Sequence, residues 1–458
     1  MNNRSLLASN LGVAAGTLAS RVTGLLRIIA FAAVIGQTSL ADAFDVGNNA
    51  PNVIYELLIG GTLAATLVPA FTQFRERNDR DATAAVVGTG LVALVALTIA
   101  AVVAAPLIFR LYALSPTGDA ETFHTVGTAL TRIFLAQIFF YGLNALTSGL
   151  LNAHGKFFAA AWAPVAANVV AIAALIGLSN DSAVSSIDLQ SASGGSRLFW
   201  WFALGPTLGI AAMAAIVVGV AVRAGVMAVP HFAPTHPAVR HISRLSGWAI
   251  GYIVANQIAL VVIKNLAQPG SGQLDAYAKA MAIFQLPHGL LAVTIVTTTT
   301  PLLARAVAQN DSLAFQQRFT RGARLTVLLT VAPSVLLALF AEPVVRLLLG
   351  WGAFSESAVV TTGRALLGLA IGLVGFSLYL FVLRGFYSHG DTRTPFLINL
   401  AENAVNIVLA VALVSRYDVL GLGLAFAIAY LVSAVIAVEV LHRKHHTPRL
   451  TALLRGST

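Results

Sequence analysis

Apolar stretches of about 20 residues or more recur along the chain from Leu6 to Leu441, each long enough to cross roughly 30 Å of hydrocarbon as a helix. Short polar links separate them. The pattern predicts twelve helices, over 6–36, 40–74, 82–114, 122–151, 157–178, 198–222, 243–267, 274–307, 318–349, 358–387, 394–415 and 418–441. The fold class expected is therefore an all-α polytopic membrane protein. One link stands apart: Ser179 to Arg197, rich in Ser, Asp and Gly, reads as a longer extracytoplasmic loop between the fifth and sixth helices.

The pattern also repeats. At an offset of 232 to 237 residues, Asp42-Ala43-Phe44 returns as Asp275-Ala276-Tyr277 and Pro69 as Pro301. Pro106 with Arg110 returns as Pro343 with Arg346, and His154-Gly155 as His389-Gly390. Asn168 and Asn403 each stand 14 residues after that His-Gly pair. Five matches in order at nearly one spacing point to duplication. Six helices per copy is an even number, so the copies share an orientation and form parallel repeats. The expected organisation is an N-terminal six-helix lobe over 1–223, a cytoplasmic linker over 224–242, a C-terminal six-helix lobe over 243–443 and a basic cytoplasmic tail over 444–458, with the lobes around a central cavity.

Composition agrees with a lipid solvent. Of 458 residues, 57% are hydrophobic and 10% charged, against roughly 25% charged in a soluble domain. The net charge of +10 is not gathered into a basic domain with interleaved aromatics, as a nucleic-acid binder requires. It is spread over alternate loops instead. By count of Lys and Arg in loops and flanks, 18 fall on one side and two, Arg197 and Arg416, on the other. The positive-inside rule then puts both termini in the cytoplasm. The first apolar segment carries Arg21 and Arg27 and is too long for a cleaved export signal, so it is expected to stay.

No cysteine is present, which excludes a disulfide frame and a thiolate metal site. The sequence contains no H-E-x-x-H, no G-x-S-x-G and no G-x-x-x-x-G-K-[ST], so a zinc protease, a serine hydrolase and a nucleotide-driven pump are all unsupported. The chain reads as a transporter, not an enzyme, with no cofactor. His442, His445 and His446 belong to the basic tail and show no ligand spacing.

The remaining chemistry lies inside the helices. Asp42, Asp45, Asn49, Asn52 and Glu56 fall within about 80° of one another on the second helix, a polar stripe on an apolar rod. Each carboxylate facing lipid would cost roughly 2.5–3.5 kcal/mol, so the stripe is expected to face protein or water. It either lines a cavity or ties helices together by hydrogen bonds. On the first helix Arg21 and Arg27 flank Gly24 by about 60° on either side, with Thr17 and Ser20 between them. Arginine suits phosphate because its planar fork gives two charge-assisted bonds and keeps its proton. The same two arginines could instead pair with Asp42, Asp45 or Glu56 and hold the two helices together.

Arg110 and Arg346 lie near helix ends, where snorkelling to the interface explains them. Lys264 stands seven residues after Gln257, and Lys279 four after Asp275; each either lines the cavity or satisfies its neighbour. Asn399, Glu402, Asn403 and Asn406 form a second stripe at helical spacing, and Asp45, Lys264, Glu402 and Asn403 are the candidates for ion or proton coupling.

The stretch Ser20-Arg21-Val22-Thr23-Gly24-Leu25-Leu26-Arg27, followed by Ala41-Asp42-Ala43-Phe44, Pro51-Asn52 and Val68-Pro69-Ala70-Phe71, resembles the MurJ/MviN family of lipid II flippases. The resemblance continues through Leu151 to Lys156, Ala163-Pro164, Leu286 to Leu290, Gly385 to Ser388 and Thr394-Pro395, and so covers essentially the whole chain. Residues Pro51 to Gly61 look most like actinobacterial members. The resemblance implies a fold of the multidrug/oligosaccharidyl-lipid/polysaccharide exporter superfamily and alternating access. It also implies export of an undecaprenyl-pyrophosphate-linked peptidoglycan precursor, within membrane lipids and beside the cell-wall synthesis machinery.

By matching motif, Arg21, Arg27 and Asp42 take the places of functional residues, and Asn49, Asn52, Tyr55, Glu56 and Lys279 complete the candidate substrate site. Three departures stand out. Tyr55 occupies a position where many members carry arginine, and the arginine of their eighth helix falls near Ala282, with Lys279 the nearest cation. Two further helices that guide a lipid tail in many members have no counterpart after the twelfth. An exporter of another lipid-linked glycan or of drugs, and a non-transporting membrane scaffold, are the alternative readings.

Overall fold

The computed structural model describes residues 3–58, 62–184, 186–245 and 247–449, with side chains placed at all of these except 3–10, 53–58, 62–66, 241, 243–245 and 247–254. Among the described residues the regular structure is helical throughout, without a strand. The helices pack into two units, Met1–Ile253 with Gly352–Phe354, and Val254–Trp351 with Ser355–Thr458. The division runs through α11 (Gly247–Leu266).

The first unit contains α1 (Asn3–Ile35), α2 (Ser39–Leu58), α3 (Thr62–Glu76), α4 (Arg80–Val103), α5 (Ala105–Tyr112), α6 (Ala120–Leu135), α7 (Gln137–Ala153), α8 (Phe158–Asn180), α9 (Arg197–Arg223) and α10 (Pro237–Leu245). In it α8 packs between α1 and α9, α7 lies on α9, and α2 on α6. Small residues permit this closeness, as expected where lipid is as apolar as leucine and packing must do the joining. A Cβ on Gly209 would stand 2.6 Å from the Ala167 carbonyl oxygen, so only glycine lets α9 approach α8 there. Phe31, Phe44, Phe134 and Phe202 lock α1, α2, α6 and α9 together, with ring centroids 4.7 to 5.8 Å apart.

The second unit contains α12 (Gln273–Pro287), α13 (Val293–Ala308), α14 (Ser312–Leu339), α15 (Ala341–Leu349), α16 (Glu356–Ile371), α17 (Leu373–Ser388) and α18 (Arg393–His445). Here α16 and α17 pack on α18, α12 on α16 and α14 on α17. Its main core gathers Phe315, Phe319, Tyr379, Phe381 and Phe386.

Helix covers the twelve predicted stretches over nearly all of their described residues, but not as twelve plain rods. Among the described residues, eight helices are long and apolar enough to cross a membrane, or nine if α16 and α17, bent by 47°, form one span. One difference from the predicted twelve is local. α18 runs through two predicted helices and is broken at Asp418, whose φ of 49° and ψ of −131° are not helical. Between α12 and α13 a π-helical turn, His288–Ala292, follows Pro287, whose ring nitrogen cannot donate to the helical ladder.

Local geometry recurs at the repeat spacing, including at a corner the sequence reading did not single out. Asn78 (φ 52°) and Asn310 (φ 54°) both turn in the left-handed region, where asparagine is tolerated. The next residue caps a helix in each case. Asp79 accepts from the Ala82 N–H at 2.8 Å, and Asp311 from the Ala314 N–H at 2.9 Å. Likewise His154 donates through Nδ1 to the Leu150 oxygen, and His389 to the Gly385 oxygen, each at 2.9 Å.

Candidate functional site

In the first unit the polar residues cluster where α8 meets α1. Asn168 donates through Nδ2 to the Ser20 oxygen at 3.3 Å, just before Arg21, and to the Thr23 hydroxyl oxygen at 3.1 Å, between the two arginines in sequence. Thr23 in turn donates to the Ala19 oxygen at 2.8 Å, so α1 keeps its ladder while its small, polar arc is held against α8. Arg21 is exposed and Arg27 half-buried, with Tyr141 of α7 within electrostatic reach of Arg27. A guanidinium that is half-buried in a membrane span can accept an anion without first being dug out of a core.

The stripe on α2 is graded in exposure. Asp42 is fully buried, at 0% exposure, and engaged with neighbours. Asp45, Asn49 and Asn52 are half-buried, and Asn52 donates through Nδ2 to the Asn48 oxygen at 3.2 Å. α6 packs closely on this helix: a Cβ on Gly47 would stand 2.9 Å from the Thr131 hydroxyl oxygen. The side chains of Tyr55 and Glu56 lie outside the described residues.

The second unit holds its polar groups in a closed seam. Lys279 pairs with Asp275 one helical turn away, and both are 4% exposed. Lys264 is also buried and engaged. Asn256 Oδ1 accepts from Asn399 Nδ2 at 3.1 Å and from Asn403 Nδ2 at 3.0 Å, which ties α11 to α18. Asn403 Nδ2 also lies 3.0 Å from the Asn399 carbonyl oxygen. Glu402, next in sequence to Asn403, is 1% exposed, and neither of its carboxyl oxygens has a hydrogen-bond partner among the described residues.

The structure thus brings Arg21, Arg27 and the open part of the α2 stripe into the first unit. It places Lys264, Lys279, Glu402 and Asn403 in the second. The sequence reading passed over Tyr141 and Asn256. Asn256 had a signal: it stands 233 residues after Thr23, and Asn403 stands 235 after Asn168, so the Asn168–Thr23 contact has its repeat-related counterpart in Asn403–Asn256. Tyr141 had none, because a tyrosine in an apolar helix carries no spacing cue. Among the described residues no three His, Asp or Glu side chains gather to hold a metal.

Comparison with known proteins gives a consistent result. The family described as lipid II flippase MurJ matches residues 31–454. The lipid II flippase MurJ of Burkholderia cenocepacia is 30% identical over 396 residues, covering 85% of this chain and 75% of that protein. The protein named probable lipid II flippase MurJ of Rhizobium meliloti (strain 1021) is 29% identical over 460 residues, 98% of this chain and 83% of its own length. Among solved structures, a lipid II flippase MurJ in an inward closed conformation superposes with a TM-score of 0.78 at 21% identity, over 96% of this chain and 89% of that one. An inward-facing multidrug transporter of the MATE family gives 0.75 at 16% identity, over 96% of each chain. At those identities the structural likeness carries the fold alone.

Proposed function

The chain belongs to the lipid II flippase MurJ family, and from that premise we propose how its residues handle a lipid-linked peptidoglycan precursor. It is a multi-pass membrane transporter for lipid II, working among the lipids of the bacterial inner membrane, and not an enzyme. In our reading Arg21 and Arg27 bind the pyrophosphate, and the polar wall is supplied by Asp45, Asn49, Asn52, Tyr55 and Glu56. The bilayer carries the long tail. Alternating access then delivers the headgroup from the cytoplasmic to the outer leaflet.

The observation that carries this reading is the accessibility of two permanent cations on a membrane-spanning helix: Arg21 is exposed and Arg27 half-buried. On the lenient insertion scale each costs about 2.5–3.5 kcal/mol at the bilayer centre, and a doubly charged anion between them offsets that cost. Asp42 competes for the arginines once the substrate has left and so resets the site. Lys279 joins the substrate set only in a state that separates it from Asp275. Asp45, Lys264, Glu402 and Asn403 couple transport to an ion or proton.

The two halves, 1–223 and 243–443, act as the lobes of the alternating-access cycle, and the chain works beside the cell-wall synthesis machinery. Both termini lie in the cytoplasm, supported by the 18-to-two basic bias. Reporter fusions after Arg197 and after Arg449 then read opposite sides, and the same side for both refutes the orientation. The test of the site is the Arg21→Ala, Arg27→Ala double variant, reconstituted with fluorescent lipid II. Binding and flipping are both expected to be lost. Wild-type rates in a folded, inserted double variant would leave the arginines as structural ties.

A further inference from the structure

We propose that Glu402 is a proton-loading site: its carboxyl carries a proton in the described conformation and gives it up when α18 leaves its present packing. This rests on the transporter reading and gives its coupling step a chemical identity.

The carboxyl is 1% exposed, and neither oxygen has a hydrogen-bond partner among the described residues. Its neighbours direct their donors elsewhere. The amide groups of Asn399 and Asn403 are given to Asn256 and, for Asn403, to Asn399 as well. An ionised carboxylate held without donor or counter-charge in a span of lipid-facing helices is among the most expensive groups a protein can bury, and such a group takes a proton instead. A carboxylic acid then has one O–H to give. One turn further along the same face, Asn406 is 7% exposed and its Oδ1 also lacks a partner among the described residues. The stretch therefore holds three buried acceptor oxygens that have no hydrogen-bond partner among the described residues. A proton on Glu402 supplies the donor.

The ionisable groups around this stretch do not replace that proton. Tyr277 on α12 is the titratable side chain within electrostatic reach of Glu402, and a neutral phenol brings no positive charge. On the same helix Lys279 and Asp275 are paired with each other. Lys264 on α11 has contacts of its own. On α16 Arg364 and Glu356 are exposed. α17 carries Tyr379, Arg384 and Tyr387, of which Arg384 lies over the Tyr387 ring at 5.8 Å.

Packing does not require the acid either. With Asn168 matched to Asn403, the positions of Asn399, Glu402 and Asn406 correspond to Pro164, Ala167 and Ala171 in the first half. There the equivalent helix packs with no carboxyl at all: Ala167 is buried, with its carbonyl oxygen against Gly209. The acid is an addition to the repeated frame.

Infrared spectroscopy of the full chain in lipid nanodiscs tests this without relying on transport. At neutral pH, where an exposed glutamate is ionised, the wild type is expected to show the C=O stretch of a protonated carboxyl, and Glu402→Gln to lose it. No such band in the wild type, or a band unchanged in Glu402→Gln, overturns the proposal. So does loss of the band on adding sodium at constant pH, which would assign the site to a metal cation. Glu402→Gln mimics the protonated form, so it should fold and bind lipid II while flipping in proteoliposomes loses its response to an imposed pH gradient. A wild-type gradient response in that variant removes Glu402 from coupling. Because the band reports loading in the absence of lipid II, a wild type that fails to flip lipid II would count against the function and leave the loading test intact.

Discussion

The two units use the same repeated frame to hold polar groups in opposite ways. In the first, Arg21 is exposed, and Arg27, Asp45, Asn49 and Asn52 are half-buried. In the second, Lys264, Asp275, Lys279, Asn399, Glu402, Asn403 and Asn406 are all buried. The repeat-related asparagines sharpen the contrast: Asn168 grips a hydroxyl and a backbone oxygen on α1, whereas Asn403 joins a side-chain amide network with α11. A half-open polar face can receive a ligand as it stands. A closed seam can change its charge state but admits nothing bulky until helices move. On the proposed function, the half-open face of the first unit suits headgroup contact and the closed seam of the second suits a change of charge state.

The largest effect expected from breaking this comparison is on transport through the open face. Arg27→Ala removes both the charge and the fork, and flipping should fall by two orders of magnitude or about 3 kcal/mol, the upper range for a charge-assisted bond. Arg27→Lys keeps the charge and loses the bidentate geometry, so its rate should lie between the two. Precursor binding should follow the same order. Equal rates for the lysine and alanine variants would show that the fork, and not the charge, is what matters.

Next in size is a stability effect in the closed seam. Lys279→Met leaves Asp275 buried without its partner, and removing one member of a buried pair costs about 3–5 kcal/mol. Thermal unfolding in detergent should show a large drop. Lys279→Met with Asp275→Leu should recover most of it, because a well-packed apolar pair often matches a buried ion pair. If the single variant unfolds like the wild type, the pair is not desolvated and the seam is less closed than the exposures indicate.

How much of this was legible beforehand divides along the same line. The apolar stretches were readable because hydrophobic length is a local property, and the Asp275–Lys279 pair because four residues make one turn. The stripe on α2 was readable as a face but not as a gradient. Asp42 is sealed and Asp45 half-buried, a tertiary outcome with no local cue. The isolation of Glu402 was hidden for a similar reason: the sequence shows three asparagines beside it, but not that two of them point their amides at Asn256. The break at Asp418 and the π turn after Pro287 merge or divide predicted spans through backbone angles that apolar periodicity does not encode.

The smallest effect lies at the ends of the two units, where the comparison is between an open corner and a closed one. Beside His154 the first unit leaves a cavity of about 170 Å³, lined in part by Arg75, Arg80 and Gly225. At the matching corner of the second, His389 stacks on His445 with centroids 3.6 Å apart, and Lys444 donates to Asp391 at 2.9 Å. Partial burial works against the ionised Asp391, but the Thr394 N–H, the Lys444 ammonium and the Thr394 hydroxyl outweigh it and hold the carboxyl down at about 2. A folded-state value below the unfolded one, about 3.9, means the stabilisation is complete above the unfolded value and is lost as pH falls toward 2. Lys444 is half exposed, so screening by water limits the contribution to about 1 kcal/mol. Asp391→Asn should therefore lower the melting temperature modestly at neutral pH, and the gap to wild type should narrow between pH values of about 5 and 2. A gap that is constant over that range would mean the carboxylate charge contributes nothing, and that the hydrogen bonds to Thr394 alone close the corner.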